Sequence, residues 1–288
     1  MVLSELERSI LSELFSVGTL APEWFIFFIC LALGAVIGIL AGMLGIGGGL
    51  VAVPVLTYLL SDVLGISPFS AITIAIATSL STIILTGLSS SRAHFKLGNL
   101  QRDIILFCGI GIALGATLGA QTASVMDGRL LKGIFAGLVI LVALQMIFGR
   151  KKASELTYNS LILVAAGLLT GFISALMGIG GGAILVPLLV LFNVDIRKAI
   201  GCAAFSGLVI AIFGTANYVY TGWSLPELPA YSLGYVYLPA AIGIVATSVF
   251  TAPYGAKFGQ NLDTAKLKKV FAVLLVIVSI RMLIGLSE

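Results

Sequence analysis

"GMLGIGGGLVAVPVL", residues 42–56, places Gly45, Gly47, Gly48 and Gly49 close together inside an otherwise apolar run. A glycine in a helix interior costs about 0.5–1 kcal/mol relative to alanine. Three in a row leave little for a helix to hold, so the run reads as a helix that stops, unwinds and restarts. The pattern returns as "ALMGIGGGAILVPLL", residues 175–189. The two stretches stay in register over a longer distance. Gly34, Gly38, Gly42, Gly45, Gly47, Gly48, Gly49 and Pro54 match Gly167, Gly171, Ala175, Gly178, Gly180, Gly181, Gly182 and Pro187, each 133 positions on. Beyond them, "LLKGIFAGLVILVALQMIF" from Leu130 matches "KLKKVFAVLLVIVSIRMLI" from Lys266. The chain is an internal duplication.

The surrounding composition makes the duplicated unit a membrane unit. Charged residues form 10% of the 288-residue chain, where a soluble domain carries roughly 25%. Mean hydropathy is +1.17. Apolar runs have helical length rather than the alternation of a membrane β-barrel. Ten such segments are expected, at about 24–44, 48–60, 69–91, 103–123, 131–149, 158–177, 181–193, 196–220, 234–252 and 266–286. The second and seventh are short, and each directly follows a glycine cluster. The expected fold is an all-α integral membrane protein of two five-segment repeats, residues 23–149 and 158–288, joined by a basic linker at 150–157. Residues 1–22 carry Leu3, Leu6, Ile10, Leu11, Leu14 and Phe15 at helical spacing, which predicts an interfacial amphipathic helix.

An odd number of segments per repeat turns the second repeat upside down, the plan of many secondary transporters. The basic residues agree. Loops 3–4, 5–6, 7–8 and 9–10 hold 12 of them: Arg92, Lys96 and Arg102; Arg150, Lys151 and Lys152; Arg197 and Lys198; Lys257, Lys266, Lys268 and Lys269. The other side holds Arg8, Arg129, Lys132 and Arg281. By the positive-inside rule the first group is cytoplasmic and both termini lie outside the cytoplasm. The expected location is the inner, or plasma, membrane.

Inverted repeats bring the two glycine clusters together near the bilayer midplane from opposite sides. A dinucleotide fingerprint does not fit, since Leu50 stands where its third glycine belongs, and no Gly-Lys-Ser/Thr phosphate loop is present. Two readings compete. In one, the break is a tight hinge without a ligand. In the other, unwound backbone exposes N–H groups at the head of the next segment, where orphan donors and the positive helix end attract an anion. The second reading makes Gly45, Gly47, Gly48, Gly49, Gly178, Gly180, Gly181 and Gly182 candidate binding residues. Pro54 and Pro187 would kink the segments that follow. The four-spaced glycines of segments one, four and six, including Gly111, Gly115 and Gly119, read instead as close helix packing.

Polar residues in the spans are few. Hydroxyls cluster in segment three (Thr73, Thr78, Ser79, Ser81, Thr82), and segment eight holds Ser206, Thr215 and Asn217. Thr78 and Ser206 are equivalent if a five-residue deletion in the second half is placed in the preceding loop, and they are the binding candidates among them. Arg281, its repeat partner Gln145, Arg92 and His94 are possible gate residues. Arg281 also suits snorkelling and His94 a cytoplasmic surface position. No span interior holds an acid, which disfavours tight proton or sodium coupling. One histidine and the scattered Cys30, Cys108 and Cys202 predict no metal or cofactor. No zinc motif or intramembrane acid pair supports an enzyme, and no nucleic-acid partner is expected.

The paired motifs "GMLGIGGGLVAVPVL" and "ALMGIGGGAILVPLL" resemble the TauE/SafE family of sulfite exporters, over residues 24–286. The resemblance implies a carrier of small sulfur-containing anions, sulfite or an organosulfonate such as sulfoacetate. An anion channel, or a permease for another small organic anion, is the alternative. Exporting an anion from a negative interior gains about 2.3 kcal/mol per charge per 100 mV, so export needs no coupling ion.

Overall fold

The computed structural model describes residues 22–45, 47–148, 159–225 and 228–261. The expected interfacial helix before Pro22, the basic linker, the tenth segment and Arg281 lie outside these. Within them the chain forms helices α1 (Pro22–Leu44), α2 (Gly49–Leu64), α3 (Pro68–Lys96), α4 (Arg102–Val125), α5 (Gly128–Phe148), α6 (Ser160–Met177), α7 (Gly182–Leu191), α8 (Ile196–Gly222) and α9 (Leu238–Asn261). Each of the nine coincides with an expected segment, but α3 runs five residues past its expected end, and the ninth begins with a small hairpin and runs nine residues past its expected end. That hairpin pairs β1 (Ser232–Leu233) with β2 (Val236–Tyr237).

Six of the described helices are long and apolar enough to cross a membrane: Glu23–Leu44, Ser70–Lys96, Arg102–Val125, Ser160–Met177, Ile196–Gly222 and Leu238–Gly259. The protein is a multi-pass membrane protein. Helices α2 and α7 are shorter, with 16 and 10 residues. At about 1.5 Å per residue they reach roughly 24 and 15 Å.

Local chemistry sets several helix starts. Asn159 caps α6 through its side-chain oxygen, which accepts from the Ile162 N–H at 2.8 Å. Asp195 caps α8 in the same way, from the N–H groups of Arg197 and Lys198. Helices α2 and α7 are headed instead by Gly48 and Gly181, which have no side chain to offer, so their first amides keep their donors.

Glycine also sets the packing. Helix α1 lies along α9 and α4 along α6. A methyl group on Gly34, Gly38 or Gly42 would run into the α9 backbone at Ile244, Ser248 and Ala252. One on Gly111, Gly115 or Gly119 would run into α6 at Val164, Leu168 and Phe172. In both pairs the contacts advance together along the two chains, so the partners are parallel. Without a hydrophobic drive between helices in lipid, such close backbone approach is what dispersion requires. Helix α3 crosses α8 at the centre: Gly87 meets Leu208, and Gly214 meets Leu80.

Two tertiary hydrogen bonds fix the directions of the short helices. His94, near the end of α3, bonds to the Gly42 carbonyl near the end of α1 at 3.0 Å. Helices α1 and α3 therefore end at the same level, and α2 carries the chain back between them. Tyr218, near the end of α8, donates to the Ala175 carbonyl near the end of α6 at 3.3 Å. Helix α7 does the same return in the second half.

Candidate functional site

The two glycine clusters meet. A Cβ on Gly47 would lie 2.8 Å from the Cα of Gly180. One on Gly49 would strike the carbonyl of Gly178, and one on Gly178 would lie 2.9 Å from the Cα of Ile76. Every described glycine of both clusters is buried. The breaks have a definite geometry. Gly45, Gly47, Gly48 and Gly178 take φ of 67°, 77°, 75° and 69°. Side chains rarely adopt this left-handed region. Gly181, the equivalent of Gly48, is right-handed instead, with φ of −52°. The two breaks share a sequence without sharing a conformation.

Pro54 and Pro187 do not break the helices they occupy. Each stands at the sixth position of α2 or α7, and the helix runs through it. The glycines alone make the break, because they precede the first turn.

Beside the junction lies a small cavity of about 10 Å³, lined by Ala41, Gly45, Gly47, Ile83, Gly87, Ser90, Ala204 and Gly207. This is space for about one water. Ser90 is 2% exposed, and its hydroxyl has no hydrogen-bond partner. Thr170 and Ser174 of α6 are fully buried, and their hydroxyls are also unpartnered. The Thr170 methyl lies 3.3 Å from where a Gly181 Cβ would stand. Buried hydroxyls almost always find partners, so the unpartnered ones on the elements that pack at this junction, which include Thr215 of α8 as well as Ser90, Thr170 and Ser174, call for a ligand or solvent. Ser90 shares the cavity with Gly45 and Gly47, Thr170 stands beside Gly181 at the head of α7, and Ser174 lies one turn further along α6.

The expected hydroxyls divide. The Ser206 Cβ lies 3.7 Å from the Gly181 Cβ position, against the second cluster. Thr78 is fully buried, and its Oγ1 accepts from the Tyr237 N–H at 3.0 Å, which fastens the hairpin to α3. Its neighbour Ser79 makes the cluster contact, donating to the Gly178 carbonyl at 2.8 Å. The surface position expected for His94 is overturned. It is 3% exposed, with Nε2 on the Gly42 carbonyl and Nδ1 3.2 Å from the Asn99 amide. A carbonyl only accepts, so Nε2 carries the hydrogen and Nδ1 receives the Asn99 amide. Arg92 is exposed on a different face of α3 and does not stand over the junction. Gln145 falls on α5.

Sequence reasoning missed Ser90, Thr170 and Ser174. A signal existed for two of them. The positions equivalent to Thr170 and Ser174 in the first repeat are Ile37 and Ala41, so the second repeat departs from the first by gaining hydroxyls. Ser90 sits in the polar stretch "SSSRAH" and reads there as a helix end.

The family model "Sulfite exporter TauE/SafE" matches residues 30–282. A probable membrane transporter protein of Haemophilus influenzae is 40% identical over 257 residues, covering 88% of this chain and 97% of that protein. One from Methanocaldococcus jannaschii is 26% identical over 254 residues, covering 87% of this chain and 93% of its own. The probable membrane transporter YunE of Bacillus subtilis is 25% identical over 278 residues, covering 89% and 97%. No solved structure matches the chain.

Proposed function

Because the chain belongs to the sulfite exporter TauE/SafE family, we propose that it exports small sulfur-containing anions, sulfite or an organosulfonate such as sulfoacetate, by alternating access. The observation that carries this reading is the set of unpartnered donors at the glycine junction. The heads of α2 and α7 offer amides, and Ser90, Thr170 and Ser174 offer buried hydroxyls. Amide and hydroxyl donors without a fixed cation suit an anion that must bind and then leave. Gly45 to Gly49 and Gly178 to Gly182 let that anion approach the backbone, with Ser206 beside it.

The junction is closed in this structure. A cavity of about 10 Å³ holds no sulfite, so the halves must part for the anion to enter. The two α-helical pairs, α1 with α9 and α4 with α6, are glycine-locked bodies on either side of the α3–α8 crossing. Rocking of these bodies would open the junction to one side and then the other. Their matched pairing supports two inverted repeats. The return paths of α2 and α7 support nine crossings among the described residues, to which the expected tenth segment adds one, and the basic residues of the loops support both termini outside the cytoplasm of a plasma-membrane protein.

Charge supports export. An anion leaving a negative interior releases about 2.3 kcal/mol per charge per 100 mV, and roughly twice that for a dianion. The test is sulfite efflux from vesicles holding the purified protein, with a potential imposed by a potassium gradient and ionophore. We expect saturable efflux, counterflow, and acceleration when the interior is negative. Efflux indifferent to potential would exclude potential-driven export, and efflux without saturation or counterflow would indicate a channel.

A further inference from the structure

Helix α3 has a second functional face. Ile83, Gly87, Ser90 and His94 recur at helical spacing and turn toward the glycine junction and α1. Leu85, Ser89, Arg92 and Lys96 recur at the same spacing two positions on, about 200° around the helix. They line a cleft of about 510 Å³ between α3 and α9, completed by Leu88, Ala93, Leu97, Val249, Pro253 and Lys257. Ser89 closes its floor by donating to the Val249 carbonyl at 2.7 Å.

The cleft is polarised along its length. Arg92, Lys96 and Lys257 are exposed. Among the described residues none of the three pairs with a carboxylate. Toward the middle of α3 the wall becomes apolar, with Leu85 and Leu88 facing Val249 and Pro253. Three cations at the helix ends, without a carboxylate partner among the described residues, above an apolar trough match a phosphate headgroup with an acyl chain beneath it. A soluble anion would leave the apolar length of the trough unfilled. The position on the side of α3 away from the junction separates the cleft from the site proposed for the transported anion.

We propose that this cleft binds an anionic phospholipid from the leaflet on the basic side of the membrane, its phosphate held by Arg92, Lys96 and Lys257. Such a lipid would tie α3 to α9 at the level where His94 ties α3 to α1.

The test is native mass spectrometry of the purified, delipidated protein titrated with phosphatidylglycerol or phosphatidylcholine of matched chains. We expect phosphatidylglycerol to bind more tightly by at least tenfold. Arg92→Gln, Lys96→Gln and Lys257→Gln should each weaken it roughly fivefold. The control pair Arg197→Gln and Lys198→Gln, basic but outside the cleft, should keep wild-type binding. Equal affinity for the two lipids in the wild-type protein would overturn the proposal, as would full retention of selectivity in the triple cleft variant. Displacement of phosphatidylglycerol by millimolar inorganic phosphate would overturn it too, in favour of a soluble anion.

Discussion

Gly47 and Gly180 occupy equivalent positions in the two repeats and pack backbone against backbone, with 2.8 Å between a Gly47 Cβ position and the Gly180 Cα. The contact joins the two unwound stretches directly. It leaves no room for a side chain, and Gly47 also has a φ of 77°.

Gly47→Ala should therefore be doubly unfavourable. The left-handed backbone costs an L-residue about 1–2 kcal/mol, and forcing a methyl into a packed core costs about 1–3 kcal/mol more. Gly181→Ala is the informative comparison. Its backbone is right-handed, and the nearest atom, Ile210 Cδ1 at 3.0 Å, is the flexible end of a side chain. Thermal unfolding in detergent should drop sharply for Gly47→Ala and little for Gly181→Ala. Equal losses would mean that the junction is not the close contact described.

Ser90→Ala separates a binding role from a structural one. The Ser90 hydroxyl has no partner in the closed structure, so removing it breaks no hydrogen bond and relieves a buried polar group. Stability should stay level or rise. Sulfite affinity should fall about 10- to 150-fold, the range for a hydrogen bond to a charged group. Calorimetric titration with sulfite reads the second effect, and unchanged affinity would remove Ser90 from the site. Thr170→Val, which keeps the shape and deletes the hydroxyl, should behave in the same way.

Much of this arrangement is legible in the sequence because it depends on glycine spacing. Gly34, Gly38 and Gly42 recur every four residues, and that spacing alone places them on one helix face. The breaks at Gly45 and Gly178 were readable because no apolar helix tolerates three successive glycines. The burial of His94 was not readable. It depends on α1 ending beside α3, which is a tertiary fact, whereas flanking Arg92 and Lys96 are local signals of a surface. Thr78 and Ser79 illustrate a related limit. Neighbouring residues on a helix point about 100° apart, so a hydroxyl-rich segment names the region but not the member that turns inward.

Two glycines of one helix test the packing argument against propensity. Gly115 of α4 abuts the Leu168 carbonyl of α6, while a methyl on Gly109 would meet nothing within 4 Å. Gly115→Ala should cost about 1–3 kcal/mol through forced separation of the helices. Gly109→Ala should be neutral or stabilising by up to about 1 kcal/mol, because alanine is the better helix former. The unfolding temperature should fall for Gly115→Ala and stay level or rise for Gly109→Ala. A parallel shift would show that glycine flexibility, rather than close approach, matters in this helix.

His94 links three elements, and its replacement should reveal how strongly. Nε2–H serves the Gly42 carbonyl of α1, and Nδ1 accepts from Asn99, whose own carbonyl packs against Gly201 at the start of α8. His94→Phe fills similar space but strands both the Gly42 carbonyl and the Asn99 amide. Each buried polar group left without a partner costs about 1–3 kcal/mol, so the variant should lose about 2–6 kcal/mol. His94→Gln can still donate to Gly42 through its amide and should recover about half of that loss. If instead both variants unfold at the wild-type temperature, the three-helix tie carries no stability. If His94→Gln is stable and yet its efflux falls, the ring serves transport itself, because the tie to α1 would be intact while the function is lost.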